Sequence, residues 1–223
     1  MQLKTDLPGA NADAISELRE ISELSEPALA AAVIADLRTD HAGESGAVMI
    51  YRGILAVTRD PGVRRFAVAH LATEVGHLAA IEPLLTAAQR SVLLPAWRVA
   101  GWLTGALPAL FGPRAVYATV AAVETFVDHH YAEQIQSIDK TLDLSIAQPL
   151  NQSNILPPAA RQRAQLQSLR ALLQTCRDDE IAHRDEAAAL FALAGQPPCV
   201  ALRIWVHLVD VGSRGAVKVC RHI

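Results

Sequence analysis

The sequence predicts an all-α protein built on a bundle of four long helices. Long stretches rich in Ala, Leu and Ile are separated by short segments with Pro and Gly, and strand-like alternation is almost absent. Two Glu-x-x-His motifs, Glu74 to His77 and Glu180 to His183, lie within two of these stretches. With 223 residues, 51% of them hydrophobic, the chain is long enough for one domain with a buried core.

Turn signals place the boundaries of the predicted elements. Residues 1–25 form a polar N-terminal extension with a short helix at 11–24, and the main domain covers 26–223. The long helices are predicted at 26–58, 63–90, 113–140 and 161–193. An apolar hairpin or helix is predicted at 92–111, a loop at 141–160 and a final apolar helix at 199–219.

The two Glu-x-x-His motifs have the spacing of metal ligands on a helix. A separation of three residues puts the carboxylate and the imidazole on one face, about one turn apart. Glu44 precedes the first motif and Glu124 precedes the second, each on a separate predicted helix. The order Glu, Glu-x-x-His, Glu, Glu-x-x-His is that of bundles that hold two iron or two manganese ions. Six ionisable groups in an apolar bundle also indicate a bound cation.

The chain resembles a duplicated helix pair. Tyr51 follows Glu44 by seven residues, and Tyr131 follows Glu124 by the same interval. Seven residues make two helical turns, so each tyrosine lies on the same stripe as its glutamate. Two such halves packed antiparallel would bring four helices around one site.

Other interpretations of these patterns remain open. A single Glu-x-x-His usually marks a solvated helix face, although two in this order are more specific. His70 shares the face of Glu74 and His77, but we predict a core or surface histidine there rather than a ligand. The alternatives are another activity of the same scaffold, such as ferroxidase, peroxidase or RNA-modifying hydroxylase, or a metal-free helical module that binds lipid or protein. The net charge of -3 argues against a nucleic-acid partner.

The apolar segment 92–111 has the length of a membrane span. Pro95, Arg98 and Pro108 argue against a crossing and leave a buried hairpin or an interfacial segment. We predict that it lies on the bilayer and contacts the membrane or a substrate tail through Trp97, Trp102, Leu107 and Phe111.

Four longer motifs follow one another from about residue 35 onward. They are Asp40-His-Ala-Gly-Glu44, the segment beginning Leu94-Pro-Ala-Trp97, Ala122-Val-Glu124 with His129-His130-Tyr131, and Arg177-Asp-Asp-Glu180-Ile-Ala-His183. In content and order they resemble the demethoxyubiquinone hydroxylase family. The resemblance implies a ferritin-like four-helix bundle with an added apolar hairpin or helix and a C-terminal helix.

The resemblance also implies a chemistry. It indicates a di-iron monooxygenase that uses O2 to hydroxylate a polyprenyl demethoxybenzoquinol ring in ubiquinone biosynthesis, with NADH as the electron donor. By this resemblance Glu44 and His77 hold one iron, Glu124 and His183 hold the other, and both Glu74 and Glu180 bridge.

Residues around these ligands receive supporting roles. We predict that Asp40 or Asp179 hydrogen-bonds a ligand histidine. The resemblance suggests that Tyr131 and His130 help electrons to enter the site. It further implies a peripheral protein at the cytoplasmic face of the cell membrane, either in a complex for ubiquinone biosynthesis or as a homo-oligomer. The N-terminal residues show no targeting segment, and three cysteines without metal-type spacing fit a reducing compartment.

Overall fold

The structure is a computed structural model that describes residues 27–147, 157–193, 195 and 198–221. Its elements in chain order are α1 (Pro27–Val57), α2 (Pro61–Ile81), α3 (Leu94–Ala109), α4 (Pro113–Ala147), α5 (Pro157–Leu193) and α6 (Val200–Cys220). No strand occurs in the described ranges, so the all-α prediction is confirmed. The predicted extension 1–25 and its helix at 11–24 lie outside the described residues.

The second long helix ends earlier than predicted. We predicted a helix at 63–90, but α2 stops at Ile81 and two 3₁₀ turns follow at Glu82–Leu84 and Ala87–Gln89. Pro83 explains the break, because it lacks the N–H that a continuing helix needs. The second turn has its own capping box between Thr86 and Gln89.

The predicted loop at 141–160 was also wrong in extent. Helix α4 continues to Ala147, and α5 already begins at Pro157. Residues 141–147 contain neither Pro nor Gly, so nothing in them stops the helix. Proline is well tolerated in the first turn of a helix, which suits the start of α5. Residues 148–156 lie outside the described part of the chain.

Helices α1, α2, α4 and α5 form the four-helix bundle. Contacts between α1 and α4, which pair Glu44 with Tyr131 and Tyr51 with Glu124, show that these two helices are antiparallel. Two apolar clusters lie along the bundle axis, one containing Leu37, Ile138 and Leu173 and the other Ile54, Phe66 and Val120. Each of the four helices contributes residues to both clusters. The predicted ligand glutamate of each helix lies between these two sets of residues: Glu44, Glu74, Glu124 and Glu180.

Helix α3 is one helix rather than a hairpin, and it packs very closely on α1. Gly101 faces the backbone of Gly46, and Gly105 faces the backbone of Ile50. A Cβ atom at either glycine of α3 would clash with these carbonyl oxygens, so the close approach requires glycine at both positions.

Helix α6 covers the same side of the bundle as α3. The indole Nε1 of Trp205 donates to Thr119 Oγ1 on α4 at 2.9 Å. Near its other end Arg221 forms an ion pair of 2.9 Å with Asp36 on α1. Among the helices that the structure describes, none has both the length and the hydropathy needed to cross a bilayer.

Candidate metal centre

Six side chains converge at the centre of the bundle. Glu44 comes from α1, Glu124 comes from α4, and α2 and α5 each contribute the Glu and His of one Glu-x-x-His motif. All six are buried, and their exposed fractions do not exceed 7%. The structure therefore brings together all the residues predicted as metal ligands.

These side chains form two overlapping groups of four. One group contains Glu44 and His77 and the other contains Glu124 and His183, while Glu74 and Glu180 belong to both. Within each group the potential ligand atoms lie within 4.8 Å of one another. A shared pair of carboxylates between two quartets is the arrangement that two bridged metal ions need.

Both imidazoles direct Nδ1 toward the carboxylates. His77 Nδ1 lies 3.2 Å from Glu180 Oε1 and 3.6 Å from Glu44 Oε2. His183 Nδ1 lies 3.1 Å from Glu74 Oε1 and 3.5 Å from Glu180 Oε2. Each histidine therefore faces carboxylates from two helices, as a shared cation would require.

Several of these buried atoms lack a hydrogen-bond partner. They are Glu44 Oε2, both carboxylate oxygens of Glu74, His77 Nδ1, Glu180 Oε2 and His183 Nδ1. In an apolar interior, each buried polar group left without a partner costs about 2–7 kcal/mol by the usual transfer values. Carboxylate oxygens and imidazole nitrogens are ligands that iron and manganese accept. The donor set thus fits a pair of divalent cations.

Burial and mutual repulsion disturb the protonation of the carboxylates. Burial, with the charges of Glu180 and Glu44, raises the pKa of Glu74 well above its usual range. Burial raises the pKa of Glu124 in the same way, with Glu180 and Glu74 as the repelling neighbours. Burial also opposes ionisation of Glu180, but its contacts with His183 and His77 outweigh that effect and lower its pKa to about 2. A cation at these carboxylates would therefore bind in competition with protons.

Asp179 orients His77. The Nε2 of His77 donates to Asp179 Oδ2 at 3.0 Å, which leaves Nδ1 toward the metal side. Burial works against protonation of His77, but the contacts with Asp179, Glu180 and Glu44 outweigh it and raise the pKa of His77. Asp40, the other predicted partner, contacts no ligand histidine, and its Oδ1 lies 3.1 Å from His130 Nε2 instead.

Two tyrosines bind the lone glutamates, Glu44 and Glu124, which lie outside the Glu-x-x-His motifs, and they do so in a reciprocal pattern. The hydroxyl of Tyr51 on α1 donates to Glu124 Oε1 on α4 at 2.8 Å. The hydroxyl of Tyr131 on α4 donates to Glu44 Oε1 on α1. Each tyrosine thus supports the glutamate of the opposite half, although the sequence repeat associates it with the glutamate on its own helix.

His70 belongs to the surroundings of the site and to neither quartet. Its Nδ1 lies 3.2 Å from the Tyr51 hydroxyl, and its Nε2 lies 2.9 Å from Glu186 Oε2. Its ring stacks on His183 with a centroid distance of 4.0 Å. Sequence reasoning missed Glu186, although its position three residues after His183 puts it on the same face of α5.

A cavity of about 360 Å³ opens beside the six side chains, between α1, α3, α4 and α6. Glu44, Glu124 and Glu180 form part of its wall. Apolar side chains form most of the remainder, including Ile50, Val123, Val127, Leu208 and Val209. The sequence predicted α6 as an apolar helix but not its place at the site, where Trp205 and its neighbours on this helix close one side of the cavity.

The residues predicted to contact membrane or substrate occupy two places. Trp97 lines the cavity. Trp102, Leu107 and Phe111 lie on the outer side of the domain with exposed fractions of 37%, 40% and 81%. An exposed row also runs along α6 at intervals of three or four residues, through Val200, Ile204, Leu208 and Val211.

Comparison with known proteins gives consistent matches. The family model for ubiquinone biosynthesis protein COQ7 matches residues 31–220. The 3-demethoxyubiquinol 3-hydroxylase of Rhodospirillum rubrum is 34% identical over 196 residues, which cover 81% of this chain and 80% of that protein. The mitochondrial NADPH-dependent 3-demethoxyubiquinone 3-hydroxylase of Rattus norvegicus is 39% identical over 110 residues, 48% of this chain and 51% of the relative. The Caenorhabditis elegans protein of the same name is 26% identical over 189 residues, with 84% and 88% covered.

Proposed function

The chain belongs to the ubiquinone biosynthesis protein COQ7 family, and on that premise we propose that it hydroxylates a polyprenyl demethoxybenzoquinol ring with O2. The names of its relatives describe hydroxylation of a demethoxyubiquinol or demethoxyubiquinone. One structural observation carries the proposal: the two quartets that share Glu74 and Glu180 border a cavity whose other walls are largely apolar. Such a cavity suits a hydrophobic ring beside a metal site.

We assign two iron ions to the six side chains. Glu44 and His77 would hold one ion, Glu124 and His183 would hold the other, and Glu74 and Glu180 would bridge. Bound iron would supply the redox chemistry with O2 that carboxylates and imidazoles cannot provide alone. The surrounding residues keep the donors in place. Each tyrosine occupies Oε1 of one lone glutamate, and on Glu44 this leaves Oε2 without another partner.

The overall reaction requires a reductant and protons. One oxygen atom of O2 enters the ring as a hydroxyl group, and the other leaves as water after the supply of two electrons and two protons. We propose NADH as the donor, and because the name of the rat relative specifies NADPH, both nucleotides belong in the assay. Tyr131 and His130 stay our candidates for electron entry, since both line the cavity and Tyr131 bonds Glu44.

We propose that the protein works as a peripheral protein on the cytoplasmic face of the cell membrane. The exposed apolar residues of α3 and α6 lie on the two helices that flank the cavity. Contiguous exposed apolar surface is typical of membrane or lipid contact. A polyprenyl tail could then pass from the bilayer between these helices to the cavity. Assembly with other ubiquinone-biosynthesis proteins, or as a homo-oligomer, stays a prediction.

The alternative activities receive less support from the site. A ferroxidase has no need for an apolar cavity of about 360 Å³ against its ligands. A metal-free helical module would leave the unpaired carboxylate oxygens and imidazole nitrogens without explanation.

Product analysis tests the proposed function. The iron-loaded chain is reduced without oxygen in the presence of a short-tail demethoxybenzoquinol and then exposed to ¹⁸O2. We expect a product that carries one ¹⁸O atom in a new hydroxyl group, detected by mass spectrometry. The Glu180→Gln variant serves as the control and should form none. A wild-type protein with full iron content and no labelled product would contradict the proposal.

A further inference from the structure

The proposed metal centre has two half-sites whose histidines are held in different ways. We define the first half-site as Glu44 with His77 and the second half-site as Glu124 with His183. In the first half-site, Nε2 of His77 donates a hydrogen bond to the carboxylate of Asp179 at 3.0 Å. A residue of α5 thus orients a ligand of α2.

His70 on α2 contacts the second half-site in two ways. Its ring stacks on the ring of His183, with 4.0 Å between the centroids and an angle of 28° between the planes. Its Nδ1 lies 3.2 Å from the hydroxyl of Tyr51, and that hydroxyl donates to Glu124 Oε1 at 2.8 Å. His70 therefore touches one ligand of this half-site directly and reaches the other ligand through a single hydroxyl group.

Glu186 and Phe66 set the orientation of the His70 ring. Nε2 of His70 donates to Glu186 Oε2 at 2.9 Å. Glu186 follows His183 by three residues, so both side chains lie on one face of α5 and contact the same ring. Phe66, one turn before His70 on α2, packs on this ring with a centroid distance of 4.0 Å. His70 is buried, whereas the side chain of Glu186 is 56% exposed.

We propose that His70, anchored by Glu186, is a positioning residue for the second half-site. The inference rests on the two-metal assignment of the proposed function, but it concerns metal affinity and needs no substrate. His70 belongs to neither quartet, so it would act through the ligands that it contacts. A residue that only stabilised the fold would affect both half-sites, because they share Glu74 and Glu180 and lie in one bundle.

Variants with a single ligand histidine separate the two half-sites. His77→Ala keeps the second half-site, and His183→Ala keeps the first. Competition with a chromophoric chelator gives the zinc affinity of each full-length protein, and circular dichroism shows whether it is folded. Adding His70→Leu to His77→Ala should weaken zinc binding by about 10–100-fold, the usual effect of removing a group that orients a metal ligand. Adding it to His183→Ala should leave the zinc affinity unchanged.

Asp179→Ala is the reciprocal control, because Asp179 contacts the histidine of the first half-site. It should weaken zinc binding in the His183→Ala protein and have no effect in the His77→Ala protein.

The anchor provides a second test with little risk to the fold, because Glu186 lies at the surface. In the His77→Ala protein, Glu186→Ala should weaken zinc binding. Glu186→Gln should keep most of the affinity, since its amide oxygen can still accept from His70 although the charge is lost. Asp185→Ala is the matched control, because it removes a charge from the neighbouring exposed residue, and it should leave the zinc affinity unchanged.

The outcomes separate this inference from the proposed function. Equal weakening by His70→Leu in both single-histidine proteins, no weakening in the His77→Ala protein, or a His77→Ala protein that binds no zinc would each overturn the role of His70. If the His70→Leu proteins do not fold, the Glu186 variants decide, and equal affinities in Glu186→Ala and Glu186→Gln would refute the anchor.

Labelled product together with any of these results would refute only the inference. A loss confined to the second half-site without any hydroxylated product would refute only the proposed reaction.

Discussion

The hydroxyl of Tyr51 donates to Glu124 Oε1 across the bundle at 2.8 Å, from α1 to α4. Tyr131 makes the corresponding bond to Glu44 in the opposite direction. The two halves of the site are therefore tied together by side chains that coordinate no metal in our proposal. Groups that orient metal ligands commonly contribute about 10–100-fold to metal affinity or activity.

Replacing Tyr131 with Phe tests the role of this reciprocal pair in electron entry. The Tyr131→Phe protein should still bind two irons at saturating Fe(II), because all six proposed ligands remain. Reduction of the oxidised site by NADH with quinone present should be slower, by roughly 10-fold or more, as followed by stopped-flow absorbance. Tyr117→Phe, in the apolar cluster around Phe66, is the control and should reduce at the wild-type rate. Equal reduction rates in the wild-type, Tyr131→Phe and Tyr117→Phe proteins would show that Tyr131 has only a structural role.

The individual ligands could be predicted from the sequence because residues three positions apart lie on the same face of a helix. A separation of three residues fixes the relation of Glu74 to His77 within α2 whatever the neighbouring helices do. The partners of the tyrosines could not be predicted, since they depend on the register between α1 and α4. The contacts of His70 with Tyr51 and Glu186 likewise depend on how α2 lies against two other helices.

The cavity was beyond sequence reasoning for a similar reason. The sequence showed an apolar segment at 92–111. Whether this segment forms a hairpin or a helix depends on the close approach of Gly101 and Gly105 to α1. The final helix was predicted, yet only its position against α4 places Trp205 at the cavity. The predicted loop at 141–160 was too long because we started it at residue 141, although the Pro and Asn residues that indicate a loop begin only at Pro149.

The packing of α3 predicts a stability effect. Gly105→Ala places a Cβ against the carbonyl oxygen of Ile50, so α3 must move away from α1. We expect a loss of about 1–3 kcal/mol in the free energy of unfolding, as for other overpacked sites. Gly215→Ala in α6 is the control, because a Cβ atom added there would meet no other atom within 4 Å, and it should be neutral or slightly stabilising. Denaturant unfolding measures both, and equal midpoints would contradict the close contact.

The raised pKa values of Glu74 and Glu124 predict that metal binding releases protons. Burial raises the pKa of both carboxyls, so without metal they favour the protonated form more than a free carboxyl does, and a cation must compete with those protons. We expect a net release of protons on metal binding and a metal affinity that rises with pH. Zinc titration calorimetry in buffers of different ionisation enthalpy counts them. Glu74→Gln should release fewer, and a heat independent of the buffer would refute the assignment.

The same pKa shifts set the pH dependence of the metal-free fold. A carboxyl whose pKa is higher in the folded chain than in the unfolded chain favours folding at low pH, and this advantage disappears as pH rises through the raised value. The free energy of unfolding of the metal-free protein should therefore fall as pH rises above 4.5, the ordinary pKa of a glutamate, because the folded chain holds Glu74 and Glu124 in environments that disfavour their charged form. Metal should remove this loss. Thermal unfolding of wild-type and Glu74→Gln proteins across pH, with and without zinc, isolates the effect.

The exposed residues of α3 predict membrane binding. Trp102→Glu combined with Leu107→Glu should reduce sedimentation with liposomes and turnover of a long-tail quinol, because charge on this face opposes contact with acyl chains. Iron content should stay at the wild-type level. Val68→Glu, at a residue of α2 with 56% exposure, provides the control for adding surface charge. Wild-type liposome binding by the double variant would show that the tail enters elsewhere.

Iron content of the bridging variants tests the central claim most directly. The wild-type chain loaded anaerobically with Fe(II) and freed of excess metal should hold about two irons, as expected for two quartets that share two carboxylates. Glu180→Ala should lose both ions, Glu44→Ala should weaken one site more than the other, and Glu133→Ala, an exposed residue of α4, should keep both. Full iron occupancy in Glu180→Ala, measured by plasma emission spectrometry, would contradict the bridged two-metal site.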